Sequence, residues 1–141
     1  MKNLITSMKV DQVALKAADN ESLTGTTLDM QGYEGVAFIA TALKGEALDF
    51  SIKAQQGAAS NMSDAADLAS TATTFSTTVG ADATTVLEVY RPQERYVRCV
   101  VTVPNATAAT PTAVIAIRYG ARVLPISNTG ELHLSPSEGT A

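Results

Sequence analysis

One cysteine (Cys99), one histidine (His133) and no tryptophan occur in this sequence. A lone cysteine cannot form an intramolecular disulfide, so a cross-linked secreted framework is excluded and the fold must rest on its core. One Cys and one His cannot compose a Cys/His zinc site. No Gly-x-Ser-x-Gly elbow, phosphate-binding glycine loop, HExxH or EF-hand spacing is present, so neither a catalytic site nor a metal or cofactor site is expected. No apolar run approaches the ~18 residues of a membrane-spanning helix, and Met1-Lys2-Asn3-Leu4-Ile5-Thr6 lacks the apolar core of a signal peptide. Synthesis in a reducing cytoplasm is the expectation.

Charge is scarce as well. Asp, Glu, Lys and Arg make up 17% of the chain, against roughly 25% in ordinary soluble domains. Such a neutral, hydroxyl-rich surface suits close contact with protein neighbours. The net charge of −4 argues against attraction to nucleic acid or an anionic membrane. The cations are segregated: all five Lys lie between 2 and 53, and all five Arg between 91 and 122. Over 91–122 those Arg face only Glu94, giving that stretch a local charge of +4.

What the chain does contain is period-two alternation. Leu48, Phe50, Ile52 and Ala54 alternate with Asp49, Ser51 and Lys53, which predicts a half-buried strand. The same pattern predicts strands over 84–90, 95–103 and 113–119, the last two as a hairpin. A strand over 8–15 changes phase and needs a bulge near Asp11. Gly35 to Ala42 is apolar on both faces, as expected in the middle of a sandwich or against a neighbour. From Gly57 to Thr85, 21 of 29 residues are Gly, Ala, Ser or Thr. This reads as a long loop with a helical turn around Ser63 to Ala69 and too few large side chains to build core. The expected architecture is an all-β antiparallel sandwich or barrel, jelly-roll-like or immunoglobulin-like, over 1–124 with an N-terminal arm, followed by a C-terminal tail over 125–141.

The search for reactive groups finds little. His133 has no acid or nucleophile beside it, and Cys99 falls on the apolar face of a strand, where a small buried hydrophobe is the usual role. Asp64 and Asp67 would share a face only if their segment were helical. Arg91, Arg95, Arg98, Arg118 and Arg122 are different, because guanidinium forks on neighbouring strands suit bidentate bonds to carboxylates at interfaces. The alternative is a solvated sheet face served by Glu88 and Glu94. Tyr90, Tyr96 and Tyr119 lie close enough to raise nucleic-acid stacking, which the acidic total opposes. Leu4 and Ile5 at one end, with Ile126, Leu132 and Leu134 at the other, are apolar anchors by which the ends would dock on an adjacent subunit.

The segments Leu28-Asp29-Met30-Gln31-Gly32-Tyr33-Glu34-Gly35-Val36-Ala37-Phe38, Ile52-Lys53-Ala54-Gln55, Val89-Tyr90-Arg91-Pro92 with Arg95-Tyr96-Val97-Arg98, and Ile117-Arg118-Tyr119-Gly120-Ala121-Arg122 follow one another in an order that resembles small virion proteins of tailed bacteriophages. The resemblance implies a capsid decoration, or cement, protein of β-sandwich type that binds the outside of the head. Its partners would be the major capsid protein and further copies of itself, with a trimer favoured by the threefold sites of a capsid lattice. No nucleic-acid or membrane partner and no cofactor is implied. The competing expectation is a carbohydrate- or receptor-binding sandwich on a virion surface. A small enzyme ranks last.

Overall fold

The structure is a computed structural model that describes residues 3–16, 22–43, 47–78, 80–102, 112–132 and 139. Among the described residues a four-residue helix, α1 (Leu4–Ser7), precedes ten strands: β1 (Lys9–Lys16), β2 (Leu23–Thr24), β3 (Leu28–Asp29), β4 (Gly35–Ala42), β5 (Leu48–Gly57), β6 (Ala66–Asp67), β7 (Thr73–Thr77), β8 (Ala83–Tyr90), β9 (Tyr96–Thr102) and β10 (Thr112–Tyr119). They form two antiparallel sheets, one in the order β1-β10-β4-β8, the other with β9 and β5 at its centre, β2 and β3 outside β9, and β6 and β7 outside β5. The protein is an antiparallel β-sandwich.

Alternation explains how the sheets face each other. Val36, Phe38, Ala40 and Ala42 of β4 meet Phe50, Ile52 and Ala54 of β5 and Val97, Cys99 and Val101 of β9 in one core, all fully buried. Each large side chain there contributes roughly 1.5–3 kcal/mol by leaving water, and the alanines set how closely the sheets approach. β1 keeps its apolar side inward only because its register against β10 shifts between Gln12 and Ala14, which leaves Val13 as an extra buried residue. The bulge expected near Asp11 thus falls two residues later.

Three expectations are corrected. β9 and β10 do not form a hairpin: β9 pairs with β5 in one sheet and β10 with β1 and β4 in the other. Both strands bury one face in the same core, but from opposite sides. The 57–85 segment is not a long loop throughout, because its second half is the strand β7, paired with β5, and the start of β8. Its few large side chains do build core: Phe75 stacks on Phe50 with ring centroids 5.3 Å apart, and Met62 is buried. No helical turn covers 63–69. That stretch is a turn leading into β6, with the Asp64 carboxylate accepting from the Ala58 and Ala59 N–H groups.

The ends are also placed. The Ile126 N–H donates to the Thr6 carbonyl at 2.9 Å, and Lys9 Nζ donates to the Ser127 carbonyl at 2.8 Å. Residues 126–128 therefore return to their own sandwich beside α1 and β1. Leu134 lies outside the described residues.

Candidate interaction surface

Four of the five arginines gather around one end of the sandwich, where the chain leaves β3, β8 and β10. The turn after β3 depends on Gly32, whose φ of +86° is costly for any side chain, and it is pinned by the Gln31 N–H donating to Asp29 Oδ1 at 2.9 Å. Gly35 then starts β4 against the ring of Tyr119, which a Cβ there would strike. On this frame Arg118, on the inward face of β10, spans the two sheets. Its Nη2 donates to Asp11 Oδ2 of β1 at 2.7 Å and its Nη1 to the Asp29 carbonyl of β3 at 2.7 Å.

Arg95 meets the other side of Asp29. Its Nε and Nη2 donate to the two carboxylate oxygens at 2.9 and 2.7 Å, the bidentate fork that suits guanidinium to carboxylate. This hydrogen bonding holds the Asp29 carboxyl below its ordinary 3.8 and raises Arg95. Arg98 lies apart, on the outer face of β9, where Nε donates to Gln55 Oε1 at 2.8 Å. Arg91 is exposed, with a left-handed φ of +51°, and its N–H donates to the Glu34 carbonyl at 2.8 Å. The Arg122 N–H donates to the Gly32 carbonyl at 2.9 Å, and its side chain is exposed.

Three of these guanidinium groups lie over tyrosine rings: Arg118 over Tyr33 at 4.7 Å, Arg91 over Tyr90 at 5.1 Å and Arg95 over Tyr96 at 5.2 Å. Tyr119, the fourth tyrosine, donates its hydroxyl to Glu88 Oε1, and burial followed by this bond raises its pKa. Between the Gly32 turn and the Arg91-Pro92-Gln93 turn lies an open cleft of about 550 Å³, lined by Glu34, Glu94, Arg91, Arg95 and Arg122. A second cleft of about 490 Å³ lies across Arg91, beside Gln56, Thr71 and Glu88.

Among the described residues no group of three or more His, Cys, Asp or Glu could hold a metal, and no helix is long and apolar enough to cross a membrane. His133 lies outside them. Cys99 is buried, and desolvation pushes its thiol up to about 11, which suppresses the nucleophilic thiolate. Asp64 and Asp67 do not form a carboxylate pair: Asp67 binds Lys53 at 2.6 Å while Asp64 caps its own turn.

The structure thus brings together Arg91, Arg95, Arg118 and Arg122, and separates them from Arg98. Leu4 is half-exposed and Ile5 half-buried beside Asn128, Ile126 is half-buried, and Leu132 is exposed. Sequence reasoning missed Asp11 and Asp29 as the arginines' partners, because both stand far away along the chain.

No protein-family model matches the sequence, and no curated protein sequence matches it. Among solved structures the chain is similar to the PBSX exported protein XepA, with 19% identity and a TM-score of 0.53 over 99% of this chain and 46% of that one. The chain spans about half of that protein's length. It also matches a structure titled CBM4 structure and function, with 14% identity and a TM-score of 0.45 over 86% of this chain and 80% of that one. The first likeness supports the sandwich fold.

Proposed function

We propose that this chain is a structural virion protein that docks on the outer surface of a bacteriophage head and stabilises the shell, with the arginine-bearing end as the docking surface. The observation that carries the reading is Arg91 stacked on Tyr90 at the rim of an open cleft, on a frame in which Arg95 and Arg118, stacked on Tyr96 and Tyr33, are already bonded to Asp29 and Asp11. Stacking limits the rotamers of a guanidinium before any partner arrives, so less entropy is lost when it grips a carboxylate of the major capsid protein. The likeness in fold to the PBSX exported protein, a phage-associated protein, agrees with a phage context.

The same stacking disfavours a sugar platform or a nucleic-acid surface, since both need free aromatic faces and these tyrosines already hold arginines. No catalytic role is assigned. Shell stabilisation would follow from linkage, because a ligand that binds the closed lattice preferentially disfavours its opening.

The test is co-sedimentation of the purified protein with empty, expanded heads. Binding that weakens about tenfold in Arg91→Lys, which keeps the charge and loses the fork, supports the reading. Absence of binding to heads, together with capture of a defined oligosaccharide on a glycan array, would replace it with the carbohydrate-binding alternative.

A further inference from the structure

The outer faces of the two sheets differ. The β9–β5 sheet presents Ser51, Lys53, Gln55, Arg98 and Thr102 to solvent, as a free antiparallel face should. Opposite it, the register of the β1-β10-β4-β8 sheet aligns Gln12, Ile115, Ile39 and Val86 in one transverse row, and Val10, Ile117, Ala37 and Glu88 in the next, so apolar residues fill the middle of both rows and the polar ones stand on the edge strands. Val86 is 58% exposed and Leu15, at the corner, 66%. Among the described residues of this face Glu88 is the one charged side chain, and its carboxylate already accepts the Tyr119 hydroxyl.

We propose that this face is where a second copy of the chain packs, sheet against sheet about a twofold axis. Four strands about 4.8 Å apart and eight residues of about 3.3 Å give a face of about 500 Å² in projection. Side-chain relief raises its accessible area towards the ~800 Å² per partner that a stable interface buries, and an exposed patch with so apolar a middle marks an interaction site. The charge of the face is confined to Glu88 on the edge strand β8, so a twofold that crosses β10 and β4 joins the apolar middles of two copies and leaves both carboxylates at the rim. Residues 133–141 contain Leu134, Pro136 and Ala141 as their apolar side chains, too few to cover the face. Sheets stacked about 10 Å apart repeat outside the sandwich the packing already used within it.

Sedimentation velocity on the full chain, from about 1 to 100 µM, tests this directly. The expected species has twice the 14.7 kDa of the monomer. Val86→Glu and Val86→Lys each raise its dissociation constant by about tenfold or more, while Val100→Glu on the opposite outer face leaves it unchanged. Because Val86 is exposed on an edge strand, both variants keep the wild-type circular dichroism. A wild-type monomer at the highest concentration, a dimer indifferent to both Val86 variants, or a dimer that appears only after deletion of 133–141 would overturn the proposal. A monomer that still binds heads overturns this inference alone and leaves the arginine-bearing end as the docking surface.

Discussion

Asn128 holds the edge of β1 at Val10 as a parallel strand would: its side-chain oxygen accepts from the Val10 N–H at 3.0 Å while its nitrogen donates to the Met8 carbonyl at 2.7 Å. Donor and acceptor flank Lys9 as the N–H and C=O of a single residue do in a parallel ladder. The same nitrogen donates to the Ile5 carbonyl at 2.9 Å, so one side chain joins α1, β1 and the tail. Asn128→Ala is expected to cost about 1–3 kcal/mol, since backbone groups lose their partners. Urea unfolding measures it, and amide exchange should accelerate at Val10 but not in β4 or β9.

Arg118 and Asp11 form an ion pair with side chains only 14% and 27% exposed. Removing the acid leaves a guanidinium half-withdrawn from water. Asp11→Ala should therefore destabilise by about 1–3 kcal/mol, less than the roughly 3–5 of a fully buried pair. In an Arg118→Met background the same substitution should lose most of its effect, and a double-mutant cycle of denaturation midpoints reads that coupling.

Acid should weaken the fold in a defined window. Arg95 first, then the Gln31 N–H, holds Asp29 below 3.8, and Asp64 and Asp67 are lowered by the Ala58 N–H and by Lys53. A carboxyl with a depressed folded pKa binds fewer protons folded than unfolded, so its stabilisation is complete above the unfolded value of about 3.9 and is lost as pH falls through the folded one. Stability should stay level from neutrality to about pH 5 and decline below about pH 4. Arg95→Gln should return the Asp29 titration towards 3.8 in carboxyl NMR and leave those of Asp64 and Asp67 in place.

Cys99 should resist alkylation. Its thiol is buried and pushed up to about 11, with the Gly25 N–H bonded to the Cys99 carbonyl at 2.8 Å. Mass spectrometry after iodoacetamide at pH 8 should show no adduct on the native protein and complete labelling in urea. Gly25→Ala, whose Cβ would stand 2.7 Å from the sulfur, should expose it to the reagent by pushing the segment after β2 away from β9.

The strands legible in the sequence are those whose alternation is carried by several large residues. β5 announces itself through Phe50 and Ile52, and β10 through Val114, Ile115 and Ile117. β7 escapes notice because Phe75 stands alone among Thr and Ser, and only its stacking on Phe50 shows it to be core. Two-residue strands such as β2 and β3 have no period to detect. Sheet membership is equally hidden, since β9 and β10 carry the same pattern and the burial of one face does not say from which side. The arginine cluster was visible as composition, while its partners were not, because Asp11 and Asp29 reach it only through the sheet register. Apolarity on both faces of Gly35 to Ala42 pointed to the middle of a sandwich or to a neighbour, and the strand does lie inside its sheet, between β10 and β8, with Ala37 and Ile39 on the outer face.

The position of β10 between β1 and β4 has a consequence in time. Lys9 pairs with Arg118 and Lys16 with Thr112, so β1 must wait for residues 112–119 before it finds its partner. Once Thr102 has emerged, β5 and β9 can pair, and so can β4 and β8, but the first sheet has a slot one strand wide through its middle. Apolar residues on both sides of that slot stay wet until Thr112 to Tyr119 emerges, an interval in which slow, non-local closure competes with aggregation. The last described strand to leave the ribosome is the one that closes the sandwich.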